Sequence, residues 1–214
     1  MIEQALKQAS SRQVPLRRLL LRLPSYGAGA SGSAGEKSWP RYIRITDLTD
    51  SGRLRADGIL RLHPDAAAPY MLEEGDILIA RSGATVGKAF LYRHEMGPAA
   101  FAGYLIQFRT DRRKALPGIL EAWTRTRHYW SQVQLASIQA TIENVNAEKY
   151  KNFLVPMVPL KYQKRLLAEL DHARGASTRI GRALNAQIAL LREHRQALIT
   201  AAVTGELDVP VVAA

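Results

Sequence analysis

Short apolar runs separated by polar turns fill roughly the first 155 positions of the chain, and after them the spacing changes. Residues 77–80 (Ile-Leu-Ile-Ala) and 89–92 (Ala-Phe-Leu-Tyr) are apolar and β-prone, and the small polar loop between them predicts strand, tight turn, strand. Residues 39–48 read as a strand, with Tyr42, Ile43 and Ile45 interleaved with Arg41, Arg44 and Thr46. Residues 59–62 and 100–109 read as further strands, and residues 14–23 as a short helix or strand laid on the core. Residues 24–35, rich in Gly and Ser, predict a mobile loop, and Ser51-Gly52 a turn. Residues 116–135 have helical spacing, with Ile119, Leu120, Trp123, Tyr129, Trp130 and Val133 apolar. The expected fold is α+β: a strand-rich mixed domain over residues 1–155, then a proline linker, a long helix and a C-terminal tail over 156–214.

That second part opens on Val155-Pro-Met-Val-Pro-Leu160, whose prolines hold an extended segment and stop any helix running through. Beyond it Leu166, Leu170, Ala173, Ser177, Ile180, Leu184, Ile188, Leu191, Leu198 and Ala202 step mostly by four and three residues. This is a heptad-like seam with one extra residue between Leu184 and Ile188. No proline interrupts residues 160–204, and a helix of that reach is about 60 Å long at ~1.5 Å per residue. Gly175 and Gly181 are the places where it could bend. Such a stripe cannot be buried on itself, so the pattern predicts association through Leu166, Leu170, Ile180, Leu184, Ile188, Leu191 and Leu198.

Composition adds a partner class. Lys and Arg number 30 against 19 Asp and Glu, a net charge of +11. A balance this basic favours a polyanion. There is no cysteine, which removes disulfides and thiolate metal sites and fits a reducing compartment. No signal peptide or membrane span is evident, so the expected location is the cytoplasm.

Several motifs fail on context. Gly27-x-Gly29-x-x-Gly32 matches a dinucleotide fingerprint, but Pro24 breaks the segment before it and more Gly and Ser follow where a helix should start. Gly83-Ala-Thr-Val-Gly87-Lys88 is one residue too short between its glycines for a phosphate loop, and Ala89 stands where a magnesium-binding hydroxyl is needed. The five histidines show no metal spacing, and no catalytic triad, acidic cluster or amino-methyltransferase Asn/Asp-Pro-Pro-Tyr motif stands out, so no catalytic centre and no metal site are expected.

What remains is polar chemistry suited to nucleic acid: Arg41, Arg44 and Thr46; Arg81, Ser82, Thr85 and Lys88; and Gln139, Thr141, Asn144, Asn146 and Lys149. Gln and Asn can read adenine edges and Arg guanine, while Ser, Thr and Lys can hold phosphates. Arg81, Ser82, Thr85 and Lys88 are expected on the DNA backbone, and sequence reading on other loops.

Five blocks in order then carry a resemblance: Tyr42-Ile-Arg-Ile-Thr-Asp-Leu48, Gly75-Asp-Ile-Leu-Ile-Ala-Arg-Ser-Gly-Ala-Thr-Val-Gly87, Ala140-Thr-Ile-Glu-Asn-Val-Asn146, Val155-Pro-Met-Val-Pro-Leu160 and Leu191-Arg-Glu-His-Arg-Gln-Ala-Leu-Ile-Thr-Ala-Ala-Val-Thr-Gly205. Together they resemble the specificity (S, HsdS) subunit of type I restriction-modification systems, from about Val14 to Val209. The resemblance implies a non-catalytic DNA-binding subunit. It would place methyltransferase (M) subunits, which use S-adenosylmethionine, and through them the restriction (R) subunits that use ATP and magnesium. The family's usual subunit has two target recognition domains and two long helices paired as an antiparallel coiled coil. This chain has one of each, a half-size form, which implies a homodimer or pairing with a second half-subunit. It also has Tyr162 where the family commonly has Glu before Gln163. The alternatives are a DNA- or RNA-binding coiled-coil module outside restriction, or the recognition part of a type II-like combined nuclease-methyltransferase.

Overall fold

The structure, a computed structural model, describes residues 2–10, 12–49, 53–138 and 144–206. Its strands are β1 (Gln13–Pro15), β2 (Ser25–Tyr26), β3 (Arg41–Ile43), β4 (Leu60–Arg61), β5 (Ile77–Ala80), β6 (Ala89–Leu91), β7 (Ala99–Phe101), β8 (Leu105–Phe108) and β9 (Leu154–Pro156). Its helices are α1 (Ile2–Ala9), α2 (Pro64–Ala67), α3 (Pro117–Trp123), α4 (Arg127–Ile138), α5 (Ala147–Tyr150) and α6 (Leu160–Thr204). The fold is α+β and ends in a long helix, as the hydrophobic pattern predicts.

Chain contacts divide it into two units, residues 1–167 and 168–214. The first is built on a four-stranded sheet of order β2-β8-β5-β6, antiparallel throughout. Strand β5 is buried along its whole length because it has a neighbour on each edge and packing on each face. Its side chains alternate. Leu78 and Ala80, with Phe90 and Leu105, join Ile43, Tyr92 and Phe101 in one core cluster. Phe108, opposite Ile77 in register, meets Tyr150 on the other face at 5.7 Å between ring centroids, and Tyr150, Phe153, Tyr129 and Trp123 continue the aromatic packing. Burial holds the Tyr129 hydroxyl far above its ordinary pKa. It donates to the Gly87 carbonyl at 2.7 Å and so ties α4 to the turn before β6.

A second sheet, β4-β3-β7, pairs β3 in parallel with β7. Strands β1 and β9 form a separate antiparallel pair with Val14 opposite Val155. The outer edge of β9 is covered by side chains of α4: Gln132 accepts from Leu154 N at 2.6 Å and donates to Leu154 O at 3.0 Å, and His128 Nε2 lies 3.2 Å from the same oxygen. A side-chain amide thus imitates a neighbouring strand on an edge that would otherwise be open.

Several expectations change here. The strand over 39–48 is only β3, followed by a 3₁₀ turn at Ile45–Asp47, and 100–109 holds two strands, β7 and β8, with a turn between them. Residues 24–35 are not a mobile loop. They contain β2, an Ala28 bridge to Ala102 and a Ser33 bridge to Arg61, and Tyr42 donates to Ala28 O and Ala30 O. Residues 116–135 form two helices, since Thr124 and Thr126 turn their hydroxyls back onto Glu121 O and Trp123 O and close off α3. Residues 154–156 are a strand of the first unit and not a linker, because β1 pairs with them. The Ser51-Gly52 turn lies outside the described residues.

Gly27 illustrates why the dinucleotide fingerprint is accidental. A Cβ there would meet Phe101 O at 2.2 Å and Ala102 O at 2.5 Å, both backbone atoms. The glycine lets the chain lie against the end of β7. Gly27→Ala is therefore expected to destabilise the fold by about 1–3 kcal/mol, from forced backbone movement. Gly29→Ala, with open space at its Cβ, should sit near wild type in the same urea titration.

Helix α6 is continuous through Gly175 and Gly181 and stops at Gly205, whose φ of +77° is left-handed. Its first two turns belong to the first unit. Gln163 is buried, its amide oxygen accepts from Leu116 N at 2.7 Å, and its amide nitrogen donates to Lys114 O at 3.0 Å and Val158 O at 2.8 Å. Leu166 is buried too, and Leu167 fills the space over Gly118. A fragment ending at Pro159 loses all of this and is expected to be at least about 3 kcal/mol less stable than one ending at Ala168, judged from one large side chain and several orphaned polar groups. Urea midpoints of the two fragments test it.

Candidate nucleic-acid interface

The expected contact residues fall into two neighbouring groups plus a set used for structure. The first group surrounds the turn between β5 and β6. Ser82 enters a short 3₁₀ turn at Gly83–Thr85, and the chain returns through Gly87 at φ +85°. A Cβ on Gly87 would also press on Val133 at 2.9 Å and on the Trp130 ring at 3.0 Å. Glycine is required there by backbone angle and by packing, so no ligand need explain it. Thr85 and Lys88 from this turn, with Thr46, Thr49 and Arg55 from the region after β3, line an open groove of about 770 Å³. Hydroxyls beside cations in an open trough suit a phosphodiester backbone.

The second group centres on Arg81. Its guanidinium packs over the rings of Tyr26 and Tyr104, 4.8 Å and 5.9 Å from their centroids. Backbone bonds hold the neighbourhood together: Arg81 N to Tyr104 O, Val145 N to Arg81 O, and a bridge between Ser82 and Asn144. Asn144 Oδ1 is buried without a hydrogen-bond partner. Gln139 and Thr141 lie outside the described residues.

The remaining candidates are engaged within the fold. Arg44 is paired to Asp47, Nη2 to Oδ1 at 2.7 Å, and donates to Gly58 O. That hydrogen bond to Asp47 raises the arginine's pKa further. Arg41 donates to Arg55 O at 2.6 Å, and burial lowers its pKa somewhat. Asn146 caps α5 by accepting from Lys149 N, and Lys149 Nζ donates to Ala136 O at 2.6 Å, near the end of α4. These four serve local structure, a use that sequence spacing does not separate from DNA contact.

Two features escaped sequence reasoning. Tyr26, in a strand of two residues, and Tyr104, in a turn, show no periodicity and meet Arg81 only in three dimensions. Asp76, inside the Gly75-Asp-Ile-Leu block, is buried and takes Arg109 in a two-pronged pair, Nε to Oδ1 at 2.8 Å and Nη2 to Oδ2 at 2.7 Å. It also accepts from Gln107 Nε2 and Glu73 N, and Gln107 in turn accepts from Arg22 and Ser25. The network fastens β2 and β8 to the start of β5.

Along α6 the seam divides. Leu166 and Leu170 are buried within the chain, so these two are not open to a partner. Ile180, Leu184, Ile188, Leu191 and Leu198 are between 44% and 61% exposed, an apolar stripe interrupted by Arg195 between its last two members. No helix among the described residues is long and apolar enough to cross a membrane. Among the same residues no group of His, Asp and Glu could hold a metal ion.

The architecture is thus a strand-rich domain with a basic, aromatic-flanked turn surface, followed by a long helix with an apolar stripe. No protein-family model and no curated protein matches the chain. Solved structures do. A chain from a study of complex assembly and conformational transition of the type I R-M system superposes with a TM-score of 0.67 at 17% identity, covering 95% of this chain and 51% of that one. The HsdS subunit from Thermoanaerobacter tengcongensis gives 0.65 at 18%, over 94% and 51%. The type I restriction-modification S subunit from M. genitalium gives 0.53 at 11%, over 83% and 44%. The chain has an HsdS-like fold, and it spans about half the length of the structures it matches.

Proposed function

We propose that the chain acts as a specificity subunit of a type I restriction-modification system, binding one DNA half-site through its first unit and docking methyltransferase subunits. The observation that supports this most is the extent of the fold likeness: it takes in 95% of the chain, recognition domain and helix alike. The net charge of +11 supports a DNA partner. On this reading the chain is non-catalytic and cytoplasmic. S-adenosylmethionine, ATP and magnesium belong to the M and R subunits it brings together. Two copies, joined along α6, read a split palindrome, since a two-fold protein maps one half-site onto the other.

Mapping methylated bases across the genome with and without the gene tests the reading. Loss of one bipartite methylation motif on deletion is the expected result, and an unchanged methylome removes the restriction role. Co-purification with a methyltransferase separates this reading from a DNA- or RNA-binding module of other purpose.

At the groove, Lys88→Ala is expected to weaken binding about equally on all duplexes and to flatten the dependence of log K on log salt by about one unit. Fluorescence anisotropy between low and moderate salt measures this. An unchanged slope takes Lys88 off the phosphate path.

A further inference from the structure

The surface carries two kinds of cation. Lys88, at the rim of an open groove, carries a compact ammonium with no planar fork. Arg81 is held. Tyr26 lies under it, and that ring is itself fixed, because β2 pairs with β8 and the Tyr26 hydroxyl accepts from Ala147 N at 3.0 Å. Tyr104, in the turn between β7 and β8 and 62% exposed, is the second aromatic contact. The Arg81 Nε is buried with no hydrogen-bond partner, and Nη1 donates to Gly103 O at 3.4 Å, a long contact.

This geometry restricts what Arg81 can do. With Nε shut off, only the Nη end of the guanidinium is left to meet a partner. That end is a planar fork of N–H donors whose rotamer freedom is already reduced by the stacking. Attraction to a phosphate needs charge and tolerates a mobile side chain. Reading a base edge needs donors held in a fixed plane, and it gains from ordering done before binding. In the major groove guanine presents N7 and O6, a pair of acceptors matched to an arginine fork.

We propose that Arg81 reads a guanine in the DNA target and that Tyr104 is a positioning residue that holds the fork in plane. This rests on the DNA-recognition reading above and moves Arg81 from the backbone contacts to the sequence-reading ones.

The test is selection from a randomised duplex library by the full-length chain, followed by sequencing and by binding curves on the selected duplex at several salt concentrations. Arg81→Lys keeps the charge and removes the fork. Its preference for one G·C pair in the selected motif is expected to fall roughly tenfold or more, with non-specific affinity and salt slope retained. Tyr104→Ala should relax the same position in part, and Tyr104→Phe should restore it. Tyr104 is exposed, so its variants remain folded even where an Arg81 change disturbs the domain. An Arg81→Lys motif identical to wild type overturns the proposal. So does a motif kept in full while Arg81→Ala lowers affinity equally on every sequence and flattens the salt slope, which marks a phosphate contact. A Tyr104→Ala motif unchanged from wild type removes the positioning role. A wild-type chain that selects no motif at all overturns the DNA-recognition reading, and this proposal with it.

Discussion

Asp76→Ala is expected to lower the stability of the recognition unit by about 3 kcal/mol, the cost of leaving a largely buried guanidinium with only the exposed Glu73 as counter-charge. The side chains of Asp76 and Arg109 are 1% and 14% exposed, so water does little to replace the lost carboxylate. The hydrogen bond from Arg109 to Asp76 is also the chief reason that arginine's pKa is raised, which shows how closely the two are coupled. Gln107 Nε2 and Glu73 N lose their acceptor at the same time. Asp76→Asn keeps the shape but loses the charge and turns a donor towards donors, so it should recover only part of the loss. Glu148, exposed and paired with Lys151, is the comparison: Glu148→Ala should cost less than about 1 kcal/mol, as exposed pairs do. Urea titrations with an unchanged slope and a shifted midpoint report these differences. Equal midpoints for Asp76→Ala and Glu148→Ala would show that the network contributes no more than a surface pair.

The second large effect concerns self-association. If two copies join along α6 as proposed, the wild type is expected to run as a dimer at tens of micromolar and the double variant Leu184→Asp, Ile188→Asp as a monomer. Each lost apolar contact is worth about 1.5–3 kcal/mol when fully buried. The substitutions occur in both copies, and each also places a carboxylate in the seam. The dissociation constant should therefore rise at least roughly a thousandfold. Both residues are about half exposed in the single chain, so the monomer itself should melt as the wild type does. Multi-angle light scattering measures the mass. A wild-type monomer would reject homodimerisation, and a variant that remains dimeric would move the interface away from this stripe. Leu166 and Leu170 should behave differently: as buried residues they affect stability and not only mass.

The two predictions draw on features of unequal legibility. The seam of α6 could be read directly, because a helical stripe is a local pattern repeated over many turns. The β5–β6 hairpin was readable for a similar reason, as apolar runs flank a turn of glycines. The shortest strands were not. Two residues at β2 or β4 are too few for an alternation to show, and what makes Ser25–Tyr26 a strand is its pairing to Gln107 and Ile106. Proline misled at residues 155–160. It does stop a helix, but an extended segment with proline is equally a strand at the margin of a sheet, and the partner that decides the matter is Val14.

The candidate interface divides the same way. Residue type suggested Arg44, Asn146 and Lys149 as contacts, yet Asp47, a helix N-terminus and the Ala136 carbonyl use them. The first two competitors lie within a few residues and could have been weighed; Ala136 is 13 positions from Lys149. The pairing of Asp76 with Arg109 and the packing of Tyr26 and Tyr104 on Arg81 span 33, 55 and 23 positions. No local pattern reports them.

The pairing of β1 with β9 also bears on how the domain is made. Its partners stand at opposite ends of the recognition unit, so this part of the fold has high contact order and its closure is slow compared with a local hairpin. During synthesis from the N-terminus, Val14 waits for a strand that leaves the ribosome after almost every other residue of the unit. Gln132, which covers the outer edge of that strand, emerges before it and cannot dock until it arrives. The nascent domain therefore carries an unsatisfied seam until its last strand is released, and that interval is when a chaperone has something to hold.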